Sequence, residues 1–232
     1  MERLIPYGEN ETLEGFVVSP SQEKRPCLIL CHAWRGRDEF ICEKANWVAS
    51  LGYVGFAIDL YGKGVLGHSK EENVKLKKPF LDDRSLLQRR LLMAYEAANN
   101  LPFVDTSKIV ALGFGFGGLC ALDLARAGVP LVAAVSVYGH FEAPPPLIAK
   151  PIRSKILLLH GHSDPIVPCH ELMAFGHELT AQNVDWQAVL YGGAKHAFIT
   201  PSANDPAAGI EYHPLAAKRA WTEISKFLCG VF

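Results

Sequence analysis

Apolar runs of strand length alternate with amphipathic stretches along the whole chain. Residues 26–31, 53–58, 109–112, 131–137 and 156–159 are almost continuously apolar, and 186–190 closes the series. They lack the polar alternation of a strand with one wet face, so they predict strands covered on both sides. Between them, Leu87, Leu91, Ala94, Tyr95 and Ala98 recur at helical spacing. So do Ala217, Ala220, Trp221, Ile224, Phe227 and Leu228, with Lys218, Glu223 and Lys226 on the opposite face. This alternation predicts an α/β architecture: a doubly wound, mostly parallel sheet with helices on both faces and ligands at the carboxyl ends of its strands. The polar segment 62–78 reads as a mobile loop or small cap, with Lys70, Lys75, Lys77 and Lys78 on a solvated surface. No repeat, low-complexity tract or linker interrupts the pattern, so residues 1–232 are expected to form a single domain without a large lid.

The densest punctuation lies at 113–118, Gly-Phe-Gly-Phe-Gly-Gly, between an apolar strand and a helix-like continuation. A phosphate loop of the Walker type needs Gly-Lys-Ser/Thr at its end, but Leu119 and Cys120 follow Gly118. A dinucleotide fingerprint fits Gly113, Gly115 and Gly118, yet it belongs to the first strand–helix unit and needs an acidic residue about 20 positions on. None stands at 131–137. The remaining reading is the strand-to-helix elbow of a hydrolase, G-x-nucleophile-x-G, whose partners follow in the order acid, then histidine. Asp164 ends the strand in "LLLHGHSDPIVP", and His196 follows a strand and a Gly-Gly turn in "LYGGAKHAFIT". Position 115 is therefore the nucleophile position, and it holds a glycine. Upstream, "LCHAWRG" follows a strand, where such a fold places its oxyanion loop, making the backbone N–H groups of Trp34 and Phe116 the expected donors.

Composition narrows the functions. The 232-residue chain is 49% hydrophobic with a net charge of −1, so no basic field favours nucleic acid or an anionic membrane. The first residues lack a signal-peptide core, and no apolar stretch is long enough for a membrane span. Six scattered cysteines form neither a CxxC pair nor a disulfide framework, which predicts reduced thiols and a cytoplasmic location. His160, His162, Cys169 and His170 cluster, but their spacing fits no zinc motif, so no metal is expected. Cys31 and Cys120 are poor stand-ins for a nucleophile. One lies within a buried strand and the other five residues beyond the elbow. Trp34, Phe116, Phe141 and Phe198 are candidates for an apolar pocket.

Taken together, "HAWRG", "GYVGFAIDLYGKG", "VALGFGFGGLCALDLA", "LLLHGHSDPIVP" and "YGGAKHAF" resemble the dienelactone hydrolase family of α/β-hydrolases nearly end to end. The resemblance implies a small hydrolase of esters or lactones that uses a Cys-His-Asp triad and needs no metal or cofactor. The family elbow reads G-x-C-x-G-G, so its cysteine falls on Gly115, its aspartate on Asp164 and its histidine on His196. A glutamate that partners the thiol falls on Ala33, and an arginine that holds the lactone carboxylate falls near Thr200. Neither group is present here. Glycine itself suits an elbow, because it adopts the strained backbone with little penalty. Three accounts of Gly115 therefore stand: a replaced nucleophile in a hydrolase, a non-catalytic relative that binds a small molecule or partner, or a site that works through water with His196 as base.

Overall fold

The computed structural model describes residues 1–232. Its eight-stranded sheet has the order β1-β2-β4-β3-β5-β6-β7-β8. The strands are β1 (Glu2–Tyr7), β2 (Leu13–Val18), β3 (Arg25–Cys31), β4 (Val54–Ala57), β5 (Val104–Phe114), β6 (Ala133–Val137), β7 (Lys155–Gly161) and β8 (Trp186–Tyr191). Strands β3 to β8 pair in parallel. β1 and β2 form an antiparallel hairpin that joins the sheet through β4. The apolar runs fall on β3 to β8, and those of β3 to β7 are covered on both faces; β8, at the edge of the sheet, instead leaves Gln187 and Leu190 exposed, which corrects the expectation for the last run.

Helices α1 (Glu39–Ser50) and α6 (Pro214–Val231) cover one face of the sheet. Helices α3 (Arg84–Asn99), α4 (Phe116–Arg126) and α5 (Cys169–Ala181) cover the other. The first layer buries Ile41, Ala45 and Val48 with Ala217, Ile224 and Leu228, and Trp47 packs on Trp221 at 4.8 Å. The second buries Leu87, Leu91, Leu119, Leu122, Leu172 and Phe175. Full burial of such side chains contributes about 1.5–3 kcal/mol each. Beneath α4, Asp123 is enclosed between Arg84 and Arg126, all three buried, and Arg84 also donates to the Glu142 carbonyl.

The segment 62–78 corrects one expectation. Only its first part is loop. From Lys70 the chain forms α2 (Lys70–Asp82), which buries Asn73 and Phe80. Ser69 caps its start by accepting from the Glu72 N–H at 3.2 Å. The charged outer face hid this helix, because only one large apolar side chain points fully inward. Register sets the rest of the architecture: Cys31, Gly113 and Ser136 lie abreast on β3, β5 and β6, and Gly161 faces Tyr191 on β7 and β8. The loops leaving these strands therefore emerge along one edge. No helix is long and apolar enough to cross a membrane.

Candidate active site

Gly115 sits between the end of β5 and the first residue of α4, with φ 56° and ψ −114°. Its N–H donates to the Val137 carbonyl at 3.0 Å, tying the elbow to the end of β6. The neighbouring glycines answer to packing. A Cβ on Gly117 would stand 2.1 Å from the Cys31 carbonyl oxygen, so only glycine lets the elbow close on the loop after β3. No phosphate need be invoked.

Asp164 and His196 come from the loops after β7 and β8. His196 Nδ1–H donates to Asp164 Oδ2 at 2.8 Å. The other carboxylate oxygen accepts from the Ile166 and Val167 N–H groups at 2.8 and 3.0 Å. Burial pushes the Asp164 carboxyl up. The hydrogen bond and charge of His196 and the two backbone amides outweigh it, and the group stays below the usual carboxylate value. An ionised Asp164 leaves His196 Nε2 as the free nitrogen. That nitrogen lies 3.8 Å from where a Cβ on residue 115 would stand. Backbone bonds hold the histidine on both sides: its N–H donates to the Gly209 carbonyl and its carbonyl accepts from Glu211. These partners belong to a small hairpin of β9 (Asn204–Asp205) and β10 (Ile210–Glu211).

Sequence patterning did not single out two further side chains at the site. Tyr138 follows β6 with φ 42°, and its hydroxyl hydrogen-bonds Thr200 Oγ1 at 3.1 Å. Its ring stands edge-on to His196 at 5.0 Å, and its Cε2 would lie 2.9 Å from a Cβ on residue 115. His140, two residues on, has its ring 6.2 Å from that of His196. Burial, helped by His196 and Lys77, pulls its pKa down to about 4. A histidine next to a strand-end Tyr-Gly was the only available cue, and it is a faint one.

Trp34 and Phe116 flank the elbow, and neither backbone N–H has an acceptor within the chain. The Tyr61 hydroxyl donates to the Trp34 carbonyl at 3.0 Å, and the Tyr61 ring stacks between Phe80 and Phe116. Beyond Tyr61 a cleft of about 500 Å³ opens beside α2, lined by Leu66, Leu76, Pro79 and Phe80. Of the four aromatic pocket candidates, Trp34 and Phe116 adjoin this region without lining the cleft. Phe141 packs on Phe175, and Phe198 is fully buried in the core. Lys77 corrects the reading of a purely solvated lysine face. Its ammonium lies 5.5 Å from the Trp34 ring, and partial burial lowers its pKa.

No three His, Cys, Asp or Glu side chains converge as metal ligands. His160 instead hydrogen-bonds the Val167 carbonyl, and Cys169 lies against the His162 carbonyl. Cys31 and Cys120 are fully buried; burial raises the first to about 12 and the second well above its usual value. Neither thiol is poised to attack.

Solved structures share this fold. The chain superposes on a dienelactone-hydrolase-like promiscuous phosphotriesterase from metagenomic libraries with a TM-score of 0.94, at 30% identity, covering 100% of this chain and 98% of that one. A structure named m3DLH gives 0.93 at 32% identity over the same shares. An uncharacterized protein of Caenorhabditis elegans is 34% identical over 157 residues, which is 65% of this chain and 98% of the worm protein. A model of the dienelactone hydrolase family matches residues 13–232, and the chain belongs to that family.

Proposed function

We propose that this chain is a carboxylic ester or lactone hydrolase of the dienelactone hydrolase type in which Gly115 has taken the place of the covalent nucleophile. What remains is a site that binds its substrate and acts on it slowly through water. One observation carries this reading: the free nitrogen of a carboxylate-paired histidine points at the position of a side chain that is not there. Evolved hydrolases use that nitrogen to deprotonate a nucleophile. With glycine at 115, only water can occupy the role.

In this scheme His196 Nε2 takes a proton from water as the water oxygen bonds to the carbonyl carbon. The unpaired N–H groups of Trp34 and Phe116 receive the developing oxyanion, a contribution of about 2.7–4 kcal/mol for each such donor in serine proteases. Collapse of the tetrahedral adduct breaks the ester C–O bond, and the proton passes from His196 to the departing alkoxide. No step needs a metal or cofactor. Loss of the nucleophile in subtilisin lowers kcat by roughly 10⁶ and leaves 10³–10⁴ over water, which sets the scale expected here. The single domain and the scattered free thiols fit a cytoplasmic enzyme.

A second reading, a non-catalytic protein that binds a small molecule or partner, draws on Tyr138. Its ring leans into the room a nucleophile would need. The Gly115→Cys variant separates the two. With p-nitrophenyl acetate it should show a burst of nitrophenol followed by turnover above the parent chain, both lost on His196→Ala. Recovery should be partial, because Ala33 supplies no carboxylate and Tyr138 must yield. A folded Gly115→Cys protein with neither burst nor gain, on short esters, lactones and an aryl phosphotriester, favours the binding protein.

A further inference from the structure

His140 has no part in the dyad, yet it lies close beside it. The two rings lie 6.2 Å apart and tilt by 55°. His196 is bound to Asp164 and His160 to Val167, whereas neither nitrogen of His140 has a partner in the chain. The other charged or titratable groups acting on it are Lys77, Asp164 and His160. Held down to a pKa of about 4, chiefly by burial, the ring is neutral at ordinary pH and offers one N–H and one lone pair. A centroid separation of 6.2 Å leaves room for one water bonded to a nitrogen of each ring.

We infer that His140 is a second imidazole of the site, one that holds the hydrolytic water against His196. This rests on the hydrolytic reading above. The water gives one proton to His196 Nε2 as its oxygen attacks the carbonyl carbon. Its other O–H donates to the lone pair of His140, which fixes the direction of the attacking oxygen. His140 neither gains nor loses a proton in the step. Gly115 leaves this water in place of a side chain, with the Tyr138 ring closing the apolar side.

The test compares steady-state hydrolysis of p-nitrophenyl acetate by the parent chain and by His140→Leu, His140→Gln and His196→Ala, each checked for native near-UV circular dichroism. His140→Leu should lower kcat by about 10-fold, the scale of one lost positioning hydrogen bond, with KM little changed. His140→Gln, which keeps a hydrogen-bonding group, should recover part of the loss. If His140→Leu matches the parent while His196→Ala abolishes turnover, the inference is overturned and the hydrolytic reading survives. If the parent is no faster than His196→Ala, the hydrolytic reading has failed. His140 is then judged in Gly115→Cys, where His140→Leu should slow the steady state, which needs water, and leave the burst, which does not. Equal steady-state rates there overturn the inference.

Discussion

Replacing Gly115 with alanine isolates what the elbow demands of its residue. At φ 56° and ψ −114° a side chain is strained, at about 1–3 kcal/mol for a residue held in a sparsely populated region. The new Cβ also meets Tyr138 Cε2 at 2.9 Å, well inside ordinary carbon contact. Tyr138 is 3% exposed and can move only by pressing on Phe114, Phe198 or His196. Overpacking of this kind adds about 1–3 kcal/mol. The sum, roughly 2–6 kcal/mol, corresponds to a fall in Tm of about 4–24 °C for a chain of this size. Gly52 supplies the comparison: it has φ 92°, but no atom lies within 4 Å of a Cβ placed there. Gly52→Ala should therefore cost only the backbone part, about 1–2 kcal/mol. Urea unfolding at 25 °C reads both changes, with unchanged m-values required for comparison. If Gly115→Ala is no less stable than Gly52→Ala, Tyr138 does not crowd the elbow. The space above residue 115 is then open, and Tyr138 no longer favours a binding protein.

Other outcomes can be checked independently. Asp164→Asn in the Gly115→Cys background should cut turnover by about 10⁴-fold, as loss of the orienting acid does in serine proteases. Because the Asp164 pKa is depressed in the fold, its stabilisation is present above about pH 4 and fades as pH falls through the folded value. The stability gap between the parent and Asp164→Asn should accordingly narrow in urea titrations below pH 4, and a gap that widens there refutes the assignment. Asp123→Asn should destabilise the fold by about 3–5 kcal/mol, since it leaves Arg84 and Arg126 buried without their carboxylate. Iodoacetamide on the native protein should modify exposed Cys229 and spare Cys27, Cys31 and Cys120. Rapid native-state labelling of Cys120 would reopen the possibility of a substitute thiol.

The elements that carry the site were legible because each advertises itself locally. A strand buried on both faces has no polar alternation, and an elbow against a neighbouring backbone has to be glycine-rich. Asp164 and His196 stand where apolar runs stop. The hairpin of β1 and β2 was not legible, since Glu2, Arg3 and Glu14 interrupt its apolar residues and its pairing partners are set by tertiary context. Helix α2 left a readable trace in Ser69 and Glu72, the spacing of a capping box, but its charged surface spoke louder. Tyr138 and His140 were hidden for a different reason. Their place at the candidate site depends on contact with His196, which is more than fifty residues away in sequence, and no local pattern encodes a distance across the sheet edge.

The backbone bonds on either side of His196 bear on timing. The histidine is fastened to the hairpin of β9 and β10, a ribbon of two residue pairs whose Asn204 and Asp205 are exposed. Such short, solvated ladders open far more often than the core strands of a sheet. The backbone of His196 stays fixed only while those bonds to the ribbon last, so the exchange rates of the His196 and Glu211 amides become a clock for its fastening. A ligand that reaches from the elbow to the ribbon would slow the clock without touching Asp164. Hydrogen exchange at these few amides would then report occupancy of the site even where no product is ever released.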